Sequence, residues 1–136
     1  MSTHGAGWAH ADGALRAPAR WAAPQDAAAL IPRLWSQTAH RNAEGDLVIG
    51  EIPVADLVAE HNTPAYVLDE VDFRARARAF REAFASWDVY YAGKAFLCTR
   101  GARWVAEEGL GLDVCSAGEL AVAVRAGFDP ARVGYH

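Results

Sequence analysis

Apolar and polar positions follow two periods along this chain, one extended and one helical, and the two alternate at regular intervals. Ala65-Tyr66-Val67-Leu68 is a short apolar run behind Thr63-Pro64, and the proline biases Thr63 to an extended backbone. Asp69 can then cap a helix in which Phe73, Ala77, Phe80 and Phe84 recur at helical spacing. Asp88-Val89-Tyr90-Tyr91-Ala92 is a second strand candidate, rich in residues that suit a pleated surface. Leu97, Gly101, Trp104, Val105 and Glu108 mark one face of the next helix, which Gly109 closes. Leu110 to Val114 reads as a third strand. Ser116-Ala117-Gly118-Glu119 has the spacing of a capping box and opens a helix carrying Leu120, Val124 and Gly127. Phe128-Asp129-Pro130 is a turn, and Arg132 to Tyr135 reads as the start of a fourth strand.

Strand starts fall near residues 65, 88, 110 and 132, a spacing of about 22 residues. Alternating units of this kind predict an α/β fold with parallel strands joined by right-handed crossovers. An open doubly wound sheet and a (β/α)8 TIM barrel both fit, although no G-x-G-x-x-G follows the first strand. A complete barrel takes about 250 residues, so four units make half of one, and the chain is expected to be an incomplete record of a longer protein. Upstream, Asp46 to Gly50 looks like an isolated strand for which nothing in the chain supplies a partner sheet. Ile52 to Glu60 looks like a short helix with Pro53 in its first turn. Pro18, Pro24 and Pro32 interrupt an Ala- and Trp-rich start. The expected organisation is a leader over 1–45, ordered only in part, a strand and short helix over 46–62, and a partial barrel over 63–136.

Composition narrows the function classes. At 52% hydrophobic and 22% charged the chain reads as globular, not disordered. A net charge of -4 offers no basic face for nucleic acid. No apolar run approaches the ~20 residues needed to span a bilayer, and Met1 to Gly13 carries no signal-peptide pattern, so a cytoplasmic location is expected. Cys98 and Cys115 have neither C-x-x-C spacing nor histidine partners, which predicts reduced thiols and no metal site. The chain holds twelve arginines and one lysine, Lys94. Ion pairing and solubility can use either residue, but only lysine can form an imine with an aldehyde.

In a parallel α/β fold, chemistry gathers at the C-terminal ends of the strands. Lys94 follows the second strand, Asp113 ends the third with Ser116 and Glu119 just beyond, and His136 follows the fourth. One amine, two carboxylates and an imidazole thus share a rim. Tyr91-Ala92-Gly93-Lys94-Ala95-Phe96-Leu97 resembles the lysine motif of the fold-type III decarboxylases, which depend on pyridoxal 5'-phosphate (PLP). Gly111 to Leu120 resembles the second motif of that family. Ile52 to Leu68 resembles the family's approach to its barrel, and Gly134-Tyr135-His136 the opening of its next loop. Gly101 departs from the pattern, standing at a helix position where the family usually has an apolar residue.

The resemblance implies a PLP-binding barrel, a C-terminal β-domain that the strand at 47–49 would join, and a homodimer with active sites at the interface. It implies an amino-acid decarboxylase. Overall similarity favours members that convert meso-diaminopimelate to L-lysine and CO2. Relatives acting on ornithine or arginine, and a non-catalytic PLP-binding homologue, are the alternatives. Lys94 would hold the cofactor and is expected to be buried, because desolvation favours the neutral amine that attacks an aldehyde. Ala92, Asp113 and His136 are expected against the cofactor, with Asp113 able to stabilise a protonated imine. For Glu119 the capping-box role competes with a role in the site, and Tyr91 is expected to be wall or core. No stretch of the chain matches the family's phosphate cradle, its acid facing the pyridine nitrogen, or its cysteine-bearing segment.

Overall fold

Asn42 to Gly45 reverse the chain: Gly45 N–H donates to the Asn42 carbonyl at 3.0 Å, and Asp46 N–H to Asn42 Oδ1 at 2.8 Å. In the computed structural model, which describes residues 26–136, this turn sets β1 (His40–Arg41) antiparallel to β2 (Leu47–Ile49). Gly50 and Glu51 then both take positive φ, 58° and 65°. Two such residues in succession are what a tight two-residue hairpin needs, and they bring β3 (Ile52–Pro53) against β2. The strand expected to be isolated therefore has partners on both sides, supplied by neighbours too short to show an alternating pattern. β1 falls inside the segment expected as leader; residues 1–25 lie outside the described residues. Pro53, with φ of -58°, leads into α1 (Val54–His61). All of these elements lie in the compact unit Ile31–His136.

Asp69 fastens this small sheet to the rest. Its carboxylate caps α2 (Glu70–Ala83) by accepting from Val71 N–H at 3.0 Å and Asp72 N–H at 3.3 Å. It also accepts from the Thr38 hydroxyl at 2.5 Å, and that hydroxyl in turn receives Gly50 N–H at 2.7 Å. Burial alone would raise the Asp69 carboxyl, but hydrogen bonding, that of the Thr38 hydroxyl foremost, outweighs it and holds the group below its ordinary value.

Two expectations fail around α2. Residues 65–68 form no strand: they have no ladder partner among the described residues, and Tyr66, Val67 and Leu68 are exposed. An apolar run becomes a strand only when another backbone satisfies its N–H and C=O groups. Of the expected helix face, Ala77 is buried and Phe73 packs on the core, but Phe80 and Phe84 are exposed. The end of α2 runs past the sheet, beside an open apolar groove lined by Val89, Tyr90 and Leu110.

The parallel sheet is β4 (Tyr90–Ala92), β5 (Gly111–Val114) and β6 (Val133–Tyr135), in that spatial order. α3 (Thr99–Glu107) connects the first pair and α4 (Ala117–Ala126) the second. Leu112 and Val114 point into the core among Ala102, Val105, Ala123 and Phe128. Gly127 closes α4 in the left-handed region, as a residue without Cβ readily does. Glu108, just past α3, accepts from Arg74 at 2.6 Å and Arg78 at 2.8 Å, clamping α3 to α2. Burial would raise this carboxyl, yet the two guanidinium groups hold it below the usual range. Among the described residues no helix is long and apolar enough to cross a membrane.

Candidate cofactor site

Register places the candidate residues before any side chain is considered. Ala92 pairs with Asp113, and Asp113 with Gly134, so these three form one row across the sheet. Two residues past each stand Lys94, Cys115 and His136. Since Leu112 and Val114 face the helices, Asp113 between them faces the other way, with Ala92 and Gly134 beside it. The C-terminal rim thus gathers all four residues expected at a cofactor, Lys94, Ala92, Asp113 and His136.

Lys94 occupies a single tight turn, Gly93–Ala95, directly after β4. Two contacts shape that turn. Gly93 is buried, and a Cβ built on it would lie 2.9 Å from the Asp113 carbonyl oxygen and 3.3 Å from Leu97 Cδ2. Only a residue without a side chain lets the turn approach β5 so closely. On the other side the Tyr91 hydroxyl donates to the Phe96 carbonyl at 2.7 Å, spanning the turn. Tyr91 also packs edge-on against Phe73, with ring centroids 5.3 Å apart. Wall or core was the expectation for Tyr91, and it packs against the core as expected. Its role in bracing the lysine turn, like that of Gly93, was not read from the sequence; a buried glycine directly before the lysine was the available signal.

The side chain of Lys94 is exposed within the described residues. Among the described residues no carboxylate forms an ion pair with it. The amine thus stands open to solvent at the strand ends. The carboxylate of Asp113 on the adjacent strand fits the positive charge that capture of an aldehyde by that amine creates.

Glu119 resolves the competition between its two roles in an unexpected way. Ser116 Oγ accepts Glu119 N–H at 3.2 Å, which is half of a capping box. The returning bond is displaced by one residue: Glu119 Oε2 accepts from Cys115 N–H at 2.9 Å, not from Ser116. The bond to Cys115 N–H is the largest influence on the Glu119 carboxyl and holds it below its ordinary value despite some desolvation. The same carboxylate lies 3.5 Å from Cys115 Sγ and pushes that exposed thiol up, against a smaller opposing influence from Lys94. His136 extends the β6 ladder by one bond, its N–H donating to the Val114 carbonyl at 3.2 Å. Its Nδ1 lies 2.9 Å from Asp113 Oδ1.

Comparison with known proteins bears on this arrangement. The domain described as pyridoxal-dependent decarboxylase, pyridoxal binding domain, matches residues 70–136, which include the whole rim. A diaminopimelate decarboxylase of Mycobacterium tuberculosis is 49% identical over 108 residues, covering 79% of this chain and 24% of that protein. One from Mycobacterium leprae is 44% identical, covering the full chain and 29% of its own length. The crystal structure of a diaminopimelate decarboxylase from M. jannaschii matches with a TM-score of 0.67 at 26% identity, over 74% of this chain and 25% of that one. The chain spans about a quarter of the length of the curated relatives it matches. Over residues 70–136, the stretch that carries the lysine turn and the neighbouring strand ends, this chain is similar to the pyridoxal-binding domain of the pyridoxal-dependent decarboxylases.

Proposed function

We propose that this chain is the lysine-bearing part of a PLP-dependent enzyme that decarboxylates meso-diaminopimelate to L-lysine and CO2, the last step of lysine biosynthesis. The observation that carries the reading is the placement of the chain's sole lysine on a braced turn at the rim of a parallel sheet. Residues 63–136 then form the first part of a (β/α)8 barrel, and the small sheet around residues 47–49 joins a β-domain contributed by other residues. When bound, the cofactor's pyridinium ring supplies a sink for the electron pair left as CO2 departs.

The chain's own residues prepare for that event. Lys94 would hold the cofactor through its amine. Gly93 and Tyr91 fix the backbone turn that carries the amine. Asp113 presents negative charge toward the positive charge that develops at the lysine nitrogen. Ala92 leaves room beside that row. The protein is expected to work in the cytoplasm as a homodimer, with reduced Cys98 and Cys115.

The test is borohydride reduction of the intact, PLP-loaded protein, followed by peptide mapping, together with an assay of CO2 release. A label on Lys94 and turnover of meso-diaminopimelate are expected. A label on another side chain would remove Lys94 from its role. Preferential turnover of ornithine or arginine would reassign the substrate, and labelling without turnover of any of the three would make the protein a non-catalytic PLP binder.

A further inference from the structure

We propose that Asp113 acts on the reaction through His136: it is a positioning residue that fixes the proton of the imidazole on Nδ1 and leaves Nε2 as the atom offered to the bound ligand. The inference rests on the proposed decarboxylase function for its purpose, but not for its geometry.

Asp113 Oδ1 and His136 Nδ1 are 2.9 Å apart, a good hydrogen-bond distance. A carboxylate can only accept, so Nδ1 must carry the hydrogen. Fixing one ring nitrogen fixes the role of the other. Among the described residues nothing hydrogen-bonds Nε2, and the ring is well exposed at the rim.

Three features show that the pair is built, not a passing surface contact. The backbone of His136 is tied to β5 through the Val114 carbonyl at 3.2 Å, so the ring starts from a fixed point. Gly134, two residues earlier and therefore on the same face of β6, pairs with Asp113 and has no side chain to intervene. A Cβ there would stand 3.6 Å from Asp113 Oδ1, in ordinary contact with the carboxylate that holds the ring. The Glu119 carboxylate on α4 feels the charge of His136, but it is already engaged by the Cys115 N–H. Asp113 is therefore the partner that sets the tautomer, and Nε2 is left open at the rim that also carries Lys94.

The experiment is nitrogen NMR on intact protein labelled only at histidine nitrogen, with His136→Gln used to assign the ring. The expected result is a proton on Nδ1 of His136 that is lost from that position in Asp113→Ala, while the other histidine rings keep their signals. A proton on Nε2 with a bare Nδ1 in the unaltered protein would overturn the proposal, as would an unchanged ring in Asp113→Ala. The first of these needs no variant, so a failure of Asp113→Ala to fold leaves the proposal testable. In the loaded enzyme, Asp113→Ala and His136→Gln are each expected to lower kcat by about 10- to 100-fold, the range for residues that orient a site group. Because Asp113 also faces the lysine nitrogen directly, the double variant should cost little more than Asp113→Ala alone: removing the histidine adds little once its orienting carboxylate is gone. Losses that simply multiply would mean that Asp113 acts independently of the histidine. The tautomer reads the geometry whether or not meso-diaminopimelate is the substrate, so failure of the proposed function and failure of this pairing give different results.

Discussion

Replacing Gly93 by alanine tests whether the lysine turn is held by close contact with β5. The added Cβ would stand 2.9 Å from the Asp113 carbonyl oxygen, whereas ordinary contact begins at 3.4 Å, so turn or strand must move by about 0.5 Å. The obstacle is backbone in the middle strand of the sheet, with Leu97 Cδ2 at 3.3 Å on a second side. Overpacking of this kind typically costs about 1–3 kcal/mol. The smaller conformational freedom of alanine in the unfolded chain offsets about 0.4–1 kcal/mol. A net loss of about 0–2.6 kcal/mol, centred near 1.3, is therefore expected. Gly118→Ala is the matched control: it sits within α4, and its nearest neighbour, Ser116 Oγ, is 3.9 Å away. There the change should stabilise by about 0.5–1 kcal/mol. Urea unfolding of the intact protein reads both as midpoint shifts at constant slope. The same shift moves the amine, so Gly93→Ala should also capture less PLP per chain after borohydride reduction. A midpoint at or above that of the parent for Gly93→Ala, with Gly118→Ala raised as expected, would refute the idea that close contact positions Lys94.

Tyr91→Phe removes the hydroxyl that spans the same turn and should lower stability by about 0.5–1.5 kcal/mol in urea unfolding, with slower capture of PLP. Asp69→Asn keeps a capping side chain but removes its titration. Because the folded Asp69 carboxyl lies below its ordinary 3.8, its stabilisation is complete above that value and is lost as pH falls through the lower folded one. Unfolding midpoints measured through that acid range should therefore fall more steeply for the parent than for Asp69→Asn. Cys115 is exposed, yet Glu119 raises its thiol, so alkylation near neutral pH should be slow and Glu119→Gln should accelerate it several-fold. An unchanged alkylation rate would show that Glu119 exerts no control over the thiol.

Much of the parallel α/β part was legible because its signals are local. Asp69, Ser116, Gly109 and Gly127 announce helix ends through their own side chains, or lack of them. Valine and leucine at every second position of β5 announce its buried face. The failures share a different origin. Residues 65–68 have strand composition, but pairing depends on a second backbone that composition does not reveal. β1 and β3 have two residues each, and their pairing is set by the turns at Asn42–Gly45 and Gly50–Glu51 instead of by any period. At the site, the motifs located Lys94, Asp113 and His136 along the chain, but not that Asp113 bonds the histidine. Nor could capping-box spacing reveal that the Glu119 carboxylate reaches one residue past its usual target to Cys115 N–H. Such choices between adjacent donors are decided by three-dimensional register, which no local pattern encodes.

The lone lysine on its exposed turn has a practical corollary. An endoproteinase that cuts only after lysine has a single target within these 136 residues, at the Lys94–Ala95 bond. Cleavage there separates residue 94 from residue 95, and a pyridoxyl group fixed to the amine by reduction would block it. The digestion pattern of a sample thus reports what fraction of its molecules carry cofactor, with no spectroscopic measurement at all.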